Sequence, residues 1–300
     1  MRVFVTGATG WIGSAVVPEL LGAGHEVVGL ARSDGSAAAL EAAGAGVHRG
    51  SLEDVGGLRS VAAAFDGVIH AAFKHDAAFS GDWEGASDAD LRAVEALGEA
   101  LEGSGKPLVV TSGTSLISPG GLGTEEDPPE VGTRVAAENA AVALAGRGVR
   151  SSVVRPAPSV HGEGDRGFIP ILIGVAREKG VSAYVGDGAN RWPAVHRLDA
   201  ARLYRLALER APAGTRLHAV AEEGVPVRGI AETIGRALDV PVVSIPQEEA
   251  GEHFGFLAGL LGSDTPASSA LTRELVGWEP ARHGLIEDLE RGHYFQEVRV

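Results

Sequence analysis

The first thirteen residues place three glycines where a pyrophosphate would need them. Arg2, Val3, Phe4 and Val5 open a largely apolar run, and Thr6-Gly-Ala-Thr-Gly-Trp-Ile-Gly13 turns the chain into a helical pattern. Glycine suits such a turn because a Cβ would keep the backbone away from the diphosphate. A helix that starts there adds unpaired N–H groups and a partial positive charge. Glycines at 7, 10 and 13 after a strand and before a helix therefore point to a dinucleotide. Candidates for proton transfer are few. His161 lies in Val160-His161-Gly162, and an imidazole titrates near neutrality, though a structural or merely exposed role is the commoner fate of such a histidine. His75-Asp76 either faces a bound cofactor or begins a surface loop, and the loop is the favoured reading. Glu130 serves as an acid only if burial raises its pKa. His196 precedes a helix start and is expected to pack under a cap. The spacings His70…His75 and His283…His293 give no pattern of metal ligands, so no metal is expected.

The elements that must carry these groups alternate. Apolar runs at 2–6, 26–31, 46–49, 67–72, 107–112 and 149–155 read as strands. Helical patterns fall between them near 11–22, 35–43, 54–64, 86–102 and 131–146. That rhythm predicts an α/β chain with a doubly wound, Rossmann-type parallel sheet. After Pro156 the pattern loosens: a helix near 169–179, a strand at 193–196, and a helix near 200–210 with Asp199 as N-cap. Elements at 215–221, 226–238 and 241–245 follow, then a helix carrying Phe254, Phe256, Leu257, Leu260 and Leu261. The expected division is a dinucleotide-binding core over 1–156, joined by 193–221, and a smaller α/β substrate cap from 157–192 and 222–300.

Composition excludes whole classes of function. The 300 residues carry a net charge of −14, which repels nucleic acid and anionic membrane. No stretch is apolar and long enough to cross a membrane, and no signal peptide is expected ahead of the first strand. With no cysteine the chain has neither disulfides nor a thiolate nucleophile, and a cytoplasmic setting is expected. Lysine occurs only at 74, 106 and 179, so nearly all positive charge is arginine.

The chain resembles the extended short-chain dehydrogenase/reductase superfamily, in its NAD(P)-dependent epimerase/dehydratase group. The marks are the glycine turn, Gly50-Ser-Leu-Glu-Asp54, Val68-Ile-His-Ala-Ala72, Leu108-Val-Val-Thr-Ser-Gly113, Ser152-Val-Val-Arg-Pro156 and Val195-His-Arg-Leu-Asp-Ala-Ala201. The resemblance implies that Gly7, Thr9, Gly10, Trp11 and Ile12 hold the pyrophosphate and that Ser51 and Leu52 border the adenine. It also implies that Ala71, Ala72, Phe73 and Thr111 lie along the ribose and nicotinamide, and that backbone at Pro156 and Pro158 closes over the latter. A carboxylate at the end of the second strand is what an NAD ribose wants. This chain has Arg32-Ser33 there, a guanidinium and a hydroxyl that suit the 2′-phosphate of NADP, while Asp34 leaves NAD as the alternative.

The resemblance also shows what is missing. The family places a tyrosine four residues before a lysine, and none of Tyr184, Tyr204 and Tyr294 has that spacing. Aligned on Arg134-Val-Ala-Ala-Glu138, the lysine position holds Arg134 and the tyrosine position Glu130. The hydroxyl after the fifth strand falls on Gly113, flanked by Ser112 and Thr114. Arg134 can bind the nicotinamide ribose and stabilise negative charge but cannot release a proton. His161, where the family has a tyrosine near the substrate, is the expected proton donor, with Ser112 and Thr114 as hydrogen-bonding hydroxyls. The expected function is an NADP-dependent reductase of a small carbonyl or imine. An NADP-binding regulator without turnover and a nucleotide-sugar epimerase or dehydratase are the alternatives. A homodimer through the helices near 86–102 and 131–146 is the expected assembly.

Overall fold

In the computed structural model, which describes residues 1–117, 121–130 and 132–296, the chain begins as three strand–helix units. These are β1 (Arg2–Thr6), α1 (Gly13–Gly22), β2 (Glu26–Ala31), α2 (Asp34–Ala42), β3 (Gly46–Arg49) and α3 (Val55–Ala63). Next come β4 (Gly67–His70), α4 (His75–Phe79), α5 (Trp83–Leu101), β5 (Pro107–Thr111), α6 (Val135–Ala143), β6 (Arg150–Pro156) and β7 (Ser159–His161). The later part holds α7 (Phe168–Lys179), β8 (Ser182–Val185), β9 (Arg191–His196), α8 (Arg197–Arg210), β10 (Thr215–Ala219), β11 (Glu222–Pro226), α9 (Val227–Leu238) and β12 (Val242–Ile245). Four short helices end it: α10 (Ala250–Phe254), α11 (Ala258–Leu261), α12 (Ala270–Val276) and α13 (Leu285–Glu290).

Seven strands form one parallel sheet in the order β10-β6-β5-β4-β1-β2-β3. The order reverses between β1 and β4, which opens a crevice at the carboxyl ends of those strands, where ligands of such sheets bind. Alternation along the strands builds the two cores. Val3 and Val5 face one layer with Leu20, Leu203 and Tyr204; Phe4 faces the other with Val68, Leu97 and Val153. A third core around Ile169, Ile173, Trp192, Ile230, Ile234 and Leu289 belongs to the cap, built on β11-β9-β7 and β12-β8.

Several boundaries differ from the sequence reading, each for a local reason. The fourth strand stops at His70, because the Ala71 and Ala72 amides turn aside to the Thr6 carbonyl and hydroxyl. His75 and Asp76 lie in the short helix α4 rather than a loop. Helix α8 starts at Arg197, and its N-cap is His196, whose Nδ1 accepts the Leu198 amide at 3.1 Å. Asp199 sits inside that first turn and instead accepts the amides of Ala281 and Arg282. That link draws part of the expected cap onto the core: Ala267, Val276 and Trp278 pack in the layer with α8. On the two helices expected at a dimer contact, Ala93 and Ala96 are buried within the chain, while Ala136 and Ala143 are exposed. No helix among the described residues is long and apolar enough to cross a membrane.

Candidate active site

The glycine turn joins β1 to α1 at the switch point of the sheet. Gly7 has φ +67°, and a Cβ on it would lie 2.5 Å from the Ala72 amide nitrogen. A Cβ on Gly13 would lie 2.0 Å from the Gly7 carbonyl oxygen, so only glycine lets α1 start this close to the strand. The Gly10 amide closes the turn on the Gly7 carbonyl at 2.9 Å, and Thr9 and Gly10 remain exposed. Trp11, half-buried, donates its indole N–H to the Val160 carbonyl at 2.7 Å and lies under the Arg197 guanidinium at 4.2 Å. A backbone cradle this narrow, followed by a helix N-terminus, fits a dinucleotide pyrophosphate. Gly7, Gly10, Trp11 and Ile12 are the residues that would hold it.

Beside that turn a buried chain of hydrogen bonds ties three strand ends together. Thr6 Oγ1 meets His70 Nδ1 at 2.7 Å, and His70 Nε2 meets Asp90 Oδ1 at 3.0 Å. The other Asp90 oxygen accepts Arg134 Nε at 3.0 Å, and Arg134 Nη2 donates to the Thr111 carbonyl at 2.7 Å. Tyr204 donates to the Thr111 hydroxyl at 2.8 Å. Asp90 is 1% exposed. Burial alone would raise its pKa, yet the Arg134 charge and the His70 contact outweigh that and hold the carboxyl below its usual range. Arg134, the N-cap residue of α6, therefore has its guanidinium fixed over the Phe73 ring at 4.4 Å. The opposite neighbour of Phe73 in this aromatic run is His75, ring to ring at 5.0 Å. Loss of hydration and the Arg134 charge push the His75 pKa down.

The expected hydroxyls lie close to this group but are engaged elsewhere. Ser112 is buried and donates to Glu138 Oε2 at 2.6 Å. Glu138 is paired with Arg155 and Arg216; burial alone would raise its pKa, but the Arg155 contact, with Ser112 and Arg216, outweighs that and holds it lowered. Thr114 is also buried and reaches only the Pro156 carbonyl, at 3.5 Å. Glu130 is exposed. His161, expected as proton donor, is buried in another cluster. Its Nδ1 meets Asp288 at 2.9 Å, its ring packs on His196 and His283, and no contact among the described residues joins it to Arg134, Ser112 or Thr114.

At the adenosine end Arg32 is exposed and meets only Asp76, at 3.3 Å between side chains that are 72% and 90% exposed. Such a surface pair contributes little, so the guanidinium is free to turn to a phosphate. The Ser33 hydroxyl accepts the Ser36 amide as the N-cap of α2, a use the sequence reading did not anticipate. Ser51 is half-buried, and Leu52 packs half-buried against the α3 side of the sheet. Pro156, which ends β6, is buried, and Pro158 is half-buried.

The profile of the NAD dependent epimerase/dehydratase family matches residues 3–220. The chain belongs to that family. Among relatives, the uncharacterized protein C2A9.02 of Schizosaccharomyces pombe is 51% identical over 298 residues, covering 98% of this chain and all of that one. A UDP-glucose 4-epimerase of Streptomyces lividans is 29% identical, over 95% of this chain and 93% of its own. The dTDP-glucose 4,6-dehydratase DesIV of Streptomyces venezuelae, solved with NAD and TYD bound, has a TM-score of 0.78 at 21% identity, over 100% and 98% of the two chains. The last likeness shows the shared fold. As a family member the chain carries a nicotinamide-dinucleotide core, in keeping with its motif resemblance to the extended short-chain dehydrogenases/reductases.

Two site residues escaped the sequence. Asp90 sits mid-helix on α5 with no motif around it, and only the fold brings it to Arg134. For His75 the one signal in the sequence is its position two residues after Phe73. A further buried group, on β10, predicts a pH dependence of stability. His218 accepts Arg155 Nη1 and reaches the Ser268 carbonyl. Burial pushes its imidazole down to about 4, with Arg155 adding to the effect against the pull of Glu125. An unfolded histidine binds its proton near ~6.5, so between those values the unfolded chain takes up a proton that the folded chain refuses. Stability is full above that window and falls as the pH drops through it, by ~2 kcal/mol at pH ~5 for this one group. Thermal unfolding should therefore occur at lower temperature at pH 5 than at pH 7, and His218→Asn should flatten the dependence. An unchanged slope in that variant would contradict the assignment.

Proposed function

We propose that the protein is an NADP-dependent reductase of a small organic carbonyl or imine, with a histidine in place of the family's tyrosine as proton donor. What carries the reading is that Phe73, on the segment expected beside the nicotinamide, has a fixed guanidinium at 4.4 Å and an imidazole at 5.0 Å. When bound, the nicotinamide supplies the hydride; the protein must supply charge stabilisation and a proton. Arg134 serves the first need. Its guanidinium is held by Asp90 and the Thr111 carbonyl, so it needs no reorganisation when negative charge develops on the substrate oxygen. It cannot serve the second, because guanidinium does not deprotonate. His75 can: its imidazole is exposed, exchanges protons with solvent, and its lowered pKa makes the protonated form a stronger acid. The lost tyrosine weighs against an epimerase or dehydratase, which relies on that phenol to abstract a proton. The substrate is a small molecule, and a homodimer remains the assembly proposed from the family, with the exposed Ala136–Ala143 face of α6 as its contact.

Oxidation of NADPH followed by absorbance with a panel of small ketones, aldehydes and imines tests the reading. Turnover should fall as the pH rises through a value below ~6.5. His75→Gln should lower kcat by about 10²–10⁴-fold with NADPH affinity little changed, and Arg134→Ala should lower kcat/KM by about 10²–10³-fold. Tight NADPH binding without turnover across the panel, or an active His75→Gln enzyme with an unchanged pH profile, would contradict it.

Choice of cofactor is tested separately at Arg32. Loss of one charge-assisted phosphate contact costs about 1.5–3 kcal/mol, so Arg32→Ala should weaken NADPH binding by roughly 10–150-fold and leave NADH binding unchanged. Equal losses for the two would show that Arg32 does not meet the 2′-phosphate.

A further inference from the structure

The cap closes onto the core through a cluster of imidazoles around one carboxylate. His161 ends β7, Asp288 lies on α13, and His283 and His293 flank that helix on either side. His161 Nδ1 and His283 Nε2 sit on the two different oxygens of Asp288, at 2.9 and 2.6 Å. One ligand atom from each of these three residues lies within 4.8 Å of the others. His293 Nε2 is buried, has no hydrogen-bond partner, and lies 3.8 Å from Asp288 Oδ1. That separation is too long for a hydrogen bond. Neighbouring ligands around a tetrahedral ion with bonds of about 2.0–2.2 Å stand ~3.3–3.6 Å apart, so an ion would open the two short contacts to Asp288 and draw His293, which stands outside the close trio, inward.

We propose that His161, His283, His293 and Asp288 bind one divalent transition-metal ion of the zinc class. Three neutral imidazoles and one carboxylate form a donor set that suits zinc, cobalt or nickel and is a poor match for magnesium or calcium, which want oxygen. A cation at the centre gives the buried His293 Nε2 the partner it otherwise lacks, an unmet cost when a polar atom is left unpaired in the interior. Asp288 is 1% exposed and carries the only charge among the four ligands when the imidazoles are neutral, so a dication there is partly compensated. All four positions are filled by protein, the arrangement of a structural site rather than a catalytic one. The ion would pin the C-terminal segment 283–293 against β7, next to Gly162, whose amide already bonds the Tyr294 hydroxyl. Three of the ligands lie within the segment 283–293, but their spacing is not a recognised ligand motif and His161 comes from more than a hundred residues earlier, which is why the sequence pointed to no metal. The proposal does not depend on the reductase reading.

The test titrates cobalt(II), and separately zinc, into the chelator-stripped full-length chain. One cobalt per chain should bind with the intense visible ligand-field absorption of a tetrahedral site, and zinc should displace it and raise the unfolding temperature. His283 and His293 are partly exposed, at 16% and 19%, so their alanine variants should keep the fold, which far-ultraviolet circular dichroism checks. Each variant should lower cobalt affinity by more than ~100-fold, beyond the 10–100-fold typical of residues behind the ligands. His253→Ala, outside the cluster, should bind cobalt as the wild type does. Absence of the ligand-field band at saturating cobalt, or a band that survives in both His283→Ala and His293→Ala, would overturn the proposal.

Discussion

A single buried carboxylate organises the crevice. Asp90 has almost no contact with water, and an ion in that setting is tolerated only when its charge is paired and its lone pairs are filled. Arg134 and His70 meet both needs, one on each oxygen. Because His70 also reaches Thr6, and Arg134 also reaches the Thr111 carbonyl, the ends of β1, β4 and β5 cannot move independently. The glycine turn, Phe73 and the fifth strand are thus held in register around the place where the cofactor's reactive end is expected. A second ion network, Glu138 with Arg155 and Arg216, braces the next layer and takes up the Ser112 hydroxyl.

On the proposed reductase reading, that arrangement divides the chemistry among residues. A lysine beside a tyrosine lowers the phenol's pKa, and the pair supplies charge and proton together. An arginine in the lysine's place offers a flat, permanently charged group that stacks on Phe73 and bonds two fixed acceptors, but it has no proton to give. The proton has to come from a separate titratable group within reach. Among the described residues His75 is the imidazole that stands against Phe73, whereas His161 is committed to Asp288 on the far side of the cap contact.

The parts of the fold set by local pattern were legible in the sequence. The three strands at 2–6, 26–31 and 46–49 form as read, since apolar runs bounded by glycine and charge leave little choice. The glycine turn was legible because its spacing is contained in seven consecutive residues, although what crowds Gly7 is the distant Ala72 amide. Features set by long-range pairing were not. Asp90 is one acidic residue among several on α5, and its burial depends on Arg134, 44 positions later. Likewise, His161 reads as a free loop histidine until α13, 127 positions later, brings Asp288 to it. Asp199 looked like a helix cap because its type and position fit one, but the amides of Ala281 and Arg282 compete for its oxygens and win.

The claim that Asp90 and Arg134 act as one unit is tested most directly by a double-mutant cycle in denaturant unfolding, using Asp90→Asn, Arg134→Met and the pair together. If the two side chains hold the crevice through their mutual contact, the effects should be non-additive, with a coupling energy above ~1 kcal/mol. Additivity to within about 0.3–0.5 kcal/mol would show that each is stabilised by other groups and would contradict the account.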